Sequence, residues 1–223
     1  MIPVYIISLQ DSPRYERACR IDRSSSIPIS VFRGVSIHNL YIDNDTIYLG
    51  HEQIRYNREQ CLRFHNRLLS LGEIGCALSH YKLYQTCVIQ SLDALLILED
   101  DFEFTESDAQ IIEIMNNLPD TNSFDLCYVQ TSPPNHFPCV TPYNQYYYRT
   151  DRAYARTHGY IITNRFAHEI LNTFELHSAA DGYLVRKSRS TNSVIYASYQ
   201  RFVGLSPLAQ VSDIDRVSCK FSA

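Results

Sequence analysis

The chain has 223 residues, enough for one domain with a sizeable core, which argues against solenoids and multidomain assemblies. Its 20 Lys and Arg against 24 Asp and Glu leave a net charge of −4, and 45% of the residues are hydrophobic; neither a dedicated nucleic-acid binder nor a disordered chain has that balance. Tyrosine dominates the large side chains, with 17 Tyr, 10 Phe and no Trp, so most of them carry a hydroxyl that needs a partner when buried, which suits a domain with a polar cleft.

Residues 4–9 form an apolar, β-branched run that predicts a buried first strand. They lack the basic leader and small-residue cleavage site of a signal peptide, so a soluble, cytoplasmic protein is expected. Gln10-Asp11-Ser12-Pro13 signals a turn, and residues 14–23 an Arg-rich helix. Residues 29–32 read as a second strand, 34–50 as a loop, and 51–71 as helical with Arg55, Arg58, Arg63 and Arg67. From Glu73 onward, apolar residues recur at three and four, predicting a helix to Ser91 whose stripe of Ile74, Ala77, Leu78, Tyr81, Tyr84 and Val88 faces the core. Residues 94–98, Ala-Leu-Leu-Ile-Leu, are too short for a helix and predict a strand buried on both faces.

Further along, Ser107 is expected to cap a helix over 108–117, followed by a strand at 124–130 and a Pro-rich loop at 132–143. Residues 146–150 and 153–163 suggest a strand pair. Asn164 is then expected to cap a helix to 174, with a short helix at 179–187 and a last strand at 193–199. Strands and helices alternate through the first two thirds, predicting a single α/β domain with a mostly parallel central sheet. The longest stretch free of charge, 126–148, holds four prolines and cannot cross a bilayer as a helix.

Several chemistries lose their usual support. The seven glycines form no G-x-G pair and no G-x-x-x-x-G-K sequence, and neither H-E-x-x-H nor G-x-S-x-G occurs, so the dinucleotide, P-loop, zincin and hydrolase signatures are absent. The seven cysteines contain no C-x-x-C pair, which points to reduced thiols rather than a disulfide framework.

What remains is Glu99-Asp100-Asp101, directly after the most hydrophobic strand. In open α/β sheets ligands bind beyond the carboxyl ends of strands. Residues leaving a strand alternate sides, so Glu99 and Asp101 share one side and Asp100 faces the other. Two carboxylates on one side suit a hard divalent cation, Mg²⁺ or Mn²⁺, which could hold a diphosphate; a hydrated acidic turn is the alternative.

The run Leu96-Ile97-Leu98-Glu99-Asp100-Asp101-Phe102, preceded by Gly72-Glu73-Ile74-Gly75-Cys76-Ala77-Leu78-Ser79-His80, resembles glycosyltransferase family 25, the lipopolysaccharide or lipooligosaccharide biosynthesis glycosyltransferases. Val4 to Leu9 with Pro13, Arg14 and Arg17, then His158-Gly159-Tyr160-Ile161-Ile162-Thr163, and Ser206-Pro207-Leu208-Ala209-Gln210 leading to Ser212-Asp213-Ile214, agree with it in order.

The resemblance implies a GT-A-like nucleotide-binding domain that uses a UDP-sugar donor and Mn²⁺ or Mg²⁺, with a nucleotide-sugar half over about 1–130 and an acceptor-side half over 131–223. Metal ligands would be Glu99 and Asp101, with Asp100 at the ribose or metal. Ser8 and Leu9 would border the base, and Arg17 would reach the phosphates unless it is a solvated helix face. Ser79 and His80 match the family's motif on the preceding helix, although a satisfied structural histidine is the alternative. Gly75 and Cys76 would allow close helix packing, with no chemistry assigned to Cys76. Asp181 matches a late acid and would be the base of an inverting transfer; an N-cap for the following helix is its alternative, and Asp151 and Glu103 are rivals.

The expected activity is transfer of a hexose, galactose first, in β linkage to a saccharide acceptor, in surface-glycan synthesis. The acceptor would be lipid-linked and membrane contact at most peripheral. A catalytically inactive nucleotide-sugar or glycan-binding module and a metal-dependent nucleotidyltransferase are the competing readings.

Ten acids and no Lys or Arg lie between Asp93 and Asp125, so the remainder carries about +6. Arg186, Lys187, Arg189, Arg201, Arg216 and Lys220 make the end of the chain basic, which would either compensate the acidic segment or face an anionic acceptor surface.

Overall fold

An eight-stranded sheet organises the protein, whose computed structural model describes residues 1–130, 140–151, 153–155 and 157–210. In chain order the first half contains β1 (Val4–Ser8), α1 (Tyr15–Ser24), β2 (Ile29–Arg33), β3 (Leu40–Asp43), β4 (Thr46–Leu49), β5 (Glu52–Arg55), α2 (Arg58–His65) and α3 (Leu71–Ile89). There follow β6 (Ala94–Glu99), β7 (Phe102–Phe104), α4 (Asp108–Asn116), β8 (Leu126–Tyr128), β9 (Val140–Pro142), β10 (Tyr147–Thr150), β11 (Gly159–Thr163), α5 (Asn164–Leu171), α6 (Ala180–Ser190), β12 (Ile195–Ser198) and β13 (Val203–Leu205).

The large sheet has the order β2-β1-β6-β11-β8-β12-β10-β9. Pairings β1/β2, β1/β6 and β8/β12 are parallel, whereas β11 runs antiparallel to both its neighbours and β10 to both of its own. The α/β class is as expected, but the sheet is mixed rather than mostly parallel. The reason is β11: it does not pair with β10, its neighbour in sequence, but inserts between β6 and β8. Alternating strands and helices signal crossovers without signalling the direction of each strand.

The strand β6 is buried on both faces, as its composition demands. Ala94, Leu96 and Leu98 face a core shared with Ala18 of α1 and Ile111, Ile114 and Met115 of α4. Leu95 and Ile97 face the opposite core with α3, α5 and α6, through Leu83, Tyr84, Phe166, Ile170 and Leu184. Two buried tyrosines pair with backbone: the Tyr147 hydroxyl donates to Ile114 O at 3.0 Å, and the Tyr56 hydroxyl accepts from Leu69 N at 3.0 Å.

Residues 34–50 are not merely a loop. They supply β3 and β4, and with β5 they make a separate antiparallel sheet that turns at left-handed Asn44 and Gly50 (φ 50° and 60°). Its inward Ile47 and Ile54 close a third core over Cys61, Ile74 and Leu78. The helix expected over 51–71 is consequently confined to α2, which Asn57 caps by accepting from Gln60 N at 3.0 Å and left-handed Asn66 ends. The helix α3 begins with a full capping box from Ser70 and Glu73, and α4 has another from Ser107 and Gln110. For α5 the cap is Thr163, not Asn164, whose side chain instead donates to Cys87 O at 2.9 Å. The Pro-rich stretch lies largely outside the described residues, and its last part, Val140–Pro142, is β9.

Close packing at Gly75 is visible: a Cβ there would come within 2.8 Å of the Val35 carbonyl oxygen. Backbone cannot rotate away as a side chain can, so Gly75→Ala is expected to cost about 1–3 kcal/mol, read as a lowered thermal midpoint with the far-UV spectrum retained. Among the described residues Cys19, Cys61, Cys76, Cys87 and Cys127 are free thiols, as expected, and no helix is long and apolar enough to cross a membrane.

Candidate active site

The acidic motif lies where β6 ends. Ile7 of β1 pairs with Glu99 in parallel, so the next residues, Ser8 and Asp100, meet. The Ser8 hydroxyl donates to Asp100 Oδ2 at 2.6 Å, and Arg14 Nη1 donates to Asp100 Oδ1 at 3.1 Å. The Arg14–Asp100 pair is nearly buried, with side chains 9% and 13% exposed. Arg17 holds the backbone of the motif: Nη1 donates to Asp100 O at 3.2 Å and Nη2 to Phe102 O at 2.6 Å, with its guanidinium over the Phe102 ring. On the far side Ser206 N donates to Asp101 O at 2.8 Å, because β7 and β13 pair antiparallel and carry residue 206 back to residue 101.

The alternation of sides is as the strand period demands. With Asp100 turned toward β1 and α1, Glu99 and Asp101 turn toward β11. The register Gly159↔Leu98 in that antiparallel pair sets His158 beside Glu99, and Glu99 N donates to His158 O at 3.2 Å. The His158 Nδ1 donates to Asp101 Oδ1 at 3.2 Å and stands 3.8 Å from Glu99 Oε2. One ligand atom from each of Glu99, Asp101 and His158 lies within 4.8 Å of the others.

Sequence reasoning passed over His158, although it stands in a segment that carried the family resemblance. Its role depends on a strand pairing across about sixty positions, for which periodicity holds no signal.

His80, on α3, is 1% exposed and lies behind Glu99. Its Nε2 is 3.4 Å from Glu99 Oε1 without the alignment of a hydrogen bond. Its Nδ1 is 2.7 Å from the Tyr160 hydroxyl, which is in turn 2.7 Å from the Tyr84 hydroxyl. If Tyr84 donates to Tyr160 and Tyr160 to Nδ1, every proton is used and the Nε2–H faces a carboxylate. The reverse order would strand the Tyr84 proton and set a lone pair against Glu99, so we assign the first. The orientation of the His80 ring is therefore set from the core.

The hydroxyl of Thr157 also donates to Glu99 Oε1. Burial opposes ionisation of Glu99, but the His80 imidazole and then the Thr157 hydroxyl and His158 outweigh it and hold the carboxyl at about 2. Because this lies below the usual 4.5, the associated stability is fully present above that value and is lost as pH falls toward 2. Acid unfolding of the metal-free protein between those pH values should be steeper in the wild type than in Glu99→Gln, as measured by urea midpoints.

The other expected residues fall into place unequally. Ser79 is 2% exposed, and its hydroxyl donates to Gly75 O at 2.7 Å and accepts from Val35 N at 2.8 Å. It therefore ties the segment after β2 to α3 rather than facing the cleft. Leu9 follows β1, half-buried, with its carbonyl accepting from Ser12 N at 2.9 Å.

Asp181 is half-buried in the first turn of α6, whose N-cap is Ala179. Its Oδ1 accepts from Gly182 N at 2.6 Å, and among the described residues Oδ2 accepts no bond. Burial first, and then the charges of Glu99, Asp181, Asp101 and Asp100, push the Cys76 thiol well up. Cys76, His80 and Glu99 form an alternative cluster of potential ligands on the other side of Glu99. Asp151 is exposed beyond β10, and Glu103 sits on β7.

The acidic segment is not a single cation cradle. Asp125 accepts from Arg165 at 2.8 Å and from Val194 N at 2.8 Å, and Asp108 accepts from Ser25 and Ser26. Among the described residues its ion pairs to arginine come from Arg14 and Arg165; Arg186, Lys187, Arg189 and Arg201 make none with it, and Arg216 and Lys220 lie outside the described residues.

The profile of glycosyltransferase family 25 (LPS biosynthesis protein) matches residues 1–184, which include the motif, His158 and Asp181. The chain belongs to this family. A glycosyltransferase 25 family member of Drosophila melanogaster is 39% identical over 66 residues, 29% of this chain and 11% of that protein. Procollagen galactosyltransferase 1 of Danio rerio is 44% identical over 41 residues, 18% of this chain and 7% of that one. These matches thus span about a tenth of the curated relatives' length. Mouse xyloside xylosyltransferase 1 superposes with a TM-score of 0.41 at 8% identity, over 92% of this chain and 85% of that one.

Proposed function

We propose that this glycosyltransferase is a metal-dependent, inverting enzyme of GT-A-like fold that moves a hexose, galactose first, from a UDP-sugar to a saccharide acceptor. The observation that carries the reading is the convergence of Glu99, Asp101 and His158 at the end of β6. Two carboxylates and one imidazole form a mixed oxygen and nitrogen donor set that fits Mn²⁺, and Mg²⁺ less well because of the nitrogen. A divalent cation bound there would neutralise charge on the departing diphosphate.

The chain's own residues supply the remainder. Asp100, fastened by Ser8 and Arg14, keeps the end of β1 against β6 and shapes the floor on which a nucleotide would lie. His80 holds Glu99 from behind. The acceptor hydroxyl attacks the anomeric carbon as the bond to the diphosphate oxygen breaks, and its proton passes to Asp181 Oδ2, the oxygen left without a bond. Galactose is favoured by the relative from Danio rerio, a procollagen galactosyltransferase, and a lipid-linked glycan acceptor by the family's link to LPS biosynthesis.

Hydrolysis of UDP-galactose by the purified chain with Mn²⁺ tests the reading directly. Slow release of UDP that stops on adding EDTA is expected. Release of pyrophosphate from a nucleoside triphosphate, with no UDP from any UDP-sugar, would instead favour a nucleotidyltransferase.

A further inference from the structure

A second concavity, apart from the acidic motif, lies between α2 and α6. It is an open cleft of about 300 Å³, at the lower end of the range for small-molecule sites. Arg186 and Lys187 are the cations of its lining. The guanidinium lies 4.0 Å from the centre of the Phe64 ring, and its Nε and Nη2 donate to Ser178 Oγ at 3.0 and 2.8 Å, with Nη2 also 3.0 Å from His65 Nε2.

No carboxylate lies within ion-pair distance of Arg186 among the described residues. The acid on the rim is already engaged: Glu175 accepts from Arg55 at 2.8 Å and from Asn57 at 2.9 Å, one oxygen each. Lys187, also on the rim, has Glu169 at 3.6 Å. The two nearby imidazoles, His65 and His177, are both pushed below their usual value, by burial first and then by Arg186, so they add no charge at neutral pH, and the carboxylate whose charge acts on the guanidinium is Asp181 on the same helix, beyond ion-pair distance.

The walls are not those of a bare anion site. The His177 ring is tilted against Tyr183 at 5.2 Å and edge-on to Phe64 at 5.6 Å, giving ring surface, while Gln60 brings an amide to the lining. Ring faces beside polar side chains match the alternating apolar faces and hydroxyl edges of a pyranose. Arg186 and Asp181 share α6, five residues or about 7.5 Å apart along the helix axis.

We propose that this cavity is an acceptor subsite for a sugar that carries an anionic group, carboxylate or phosphate, with Arg186 as its counter-charge. The assignment to the acceptor rests on the transferase reading above. A saccharide whose reacting hydroxyl meets Asp181 would set a neighbouring unit in the cavity.

The test needs neither metal nor nucleotide, so its failure and that of the transferase reading are separable. Glucuronic acid, glucose 6-phosphate, glucose and inorganic phosphate are titrated into the full chain while the ring signals of His65 and His177 are followed by NMR. Both charged sugars should shift these signals saturably, glucose should not at the same concentrations, and inorganic phosphate should bind more weakly than glucose 6-phosphate. Arg186→Gln should weaken binding of the charged sugars by about 10-fold or more, and Arg186→Lys should restore part of it.

Equal shifts with glucose, or no saturable shift with either charged sugar, would overturn the proposal. So would phosphate binding as tightly as glucose 6-phosphate, or unchanged affinity in a folded Arg186→Gln protein.

Discussion

Replacing Asp101 by asparagine is expected to lower Mn²⁺-dependent hydrolysis of UDP-galactose by about 100- to 1000-fold, the usual cost of removing one preorganised charge from a reacting centre. The substitution keeps shape and removes charge. Asp101 receives Ser206 N through its backbone carbonyl and His158 through its side chain, so the turn after β6 should persist and thermal stability of the metal-free protein should change little. Titration with Mn²⁺ followed by hydrolysis rate separates the effects: a rate recovered at high Mn²⁺ marks weakened cation binding. Hydrolysis that remains metal-dependent at the wild-type rate and Mn²⁺ affinity would remove Asp101 from the site.

The largest effect on stability is expected at Arg14. Its partner Asp100 is 13% exposed and sits between Ser8 and Arg14, so Arg14→Met leaves a nearly buried carboxylate with its principal charge partner gone. Breaking such a pair on one side costs about 3–5 kcal/mol. For a chain of this size, 3 kcal/mol corresponds to a fall in thermal midpoint of about 6–12 °C. The double variant Arg14→Met with Asp100→Asn should recover part of the loss, since no buried charge then remains; a double variant no better than the single one would assign the cost to packing of the arginine stem instead. Calorimetry of the wild type and the two variants decides between them.

These two residues show how far local sequence reaches. The motif Glu99-Asp100-Asp101 was legible because a five-residue apolar run can only be a buried strand, and the strand period then separates Glu99 and Asp101 from Asp100. Asp100 indeed turns to β1, and its neighbours turn to β11. Capping chemistry made the starts of α3 and α4 legible in the same way.

Hidden from that reasoning were the three short strands β3, β4 and β5. Their alternation in Leu40-Tyr41-Ile42-Asp43 and Thr46-Ile47-Tyr48-Leu49 was visible, but their polar surroundings masked it. Also hidden was the use of Arg17 and Ser79 as structural ties, since nothing in a sequence says which carbonyl a guanidinium or hydroxyl will find.

The sequence by itself therefore determined the α/β class, the buried strand, the place of the carboxylates on its end and the family. Tertiary structure alone decided that β11 runs antiparallel beside β6, that His158 thereby joins Glu99 and Asp101, and that α2 and α6 flank an open concavity beside Arg186. The division follows from range: periodicity, capping and strand alternation act over a few residues, whereas a site assembled from residues 8, 14, 80, 99 and 158 exists only once the chain has chosen which distant strands to pair.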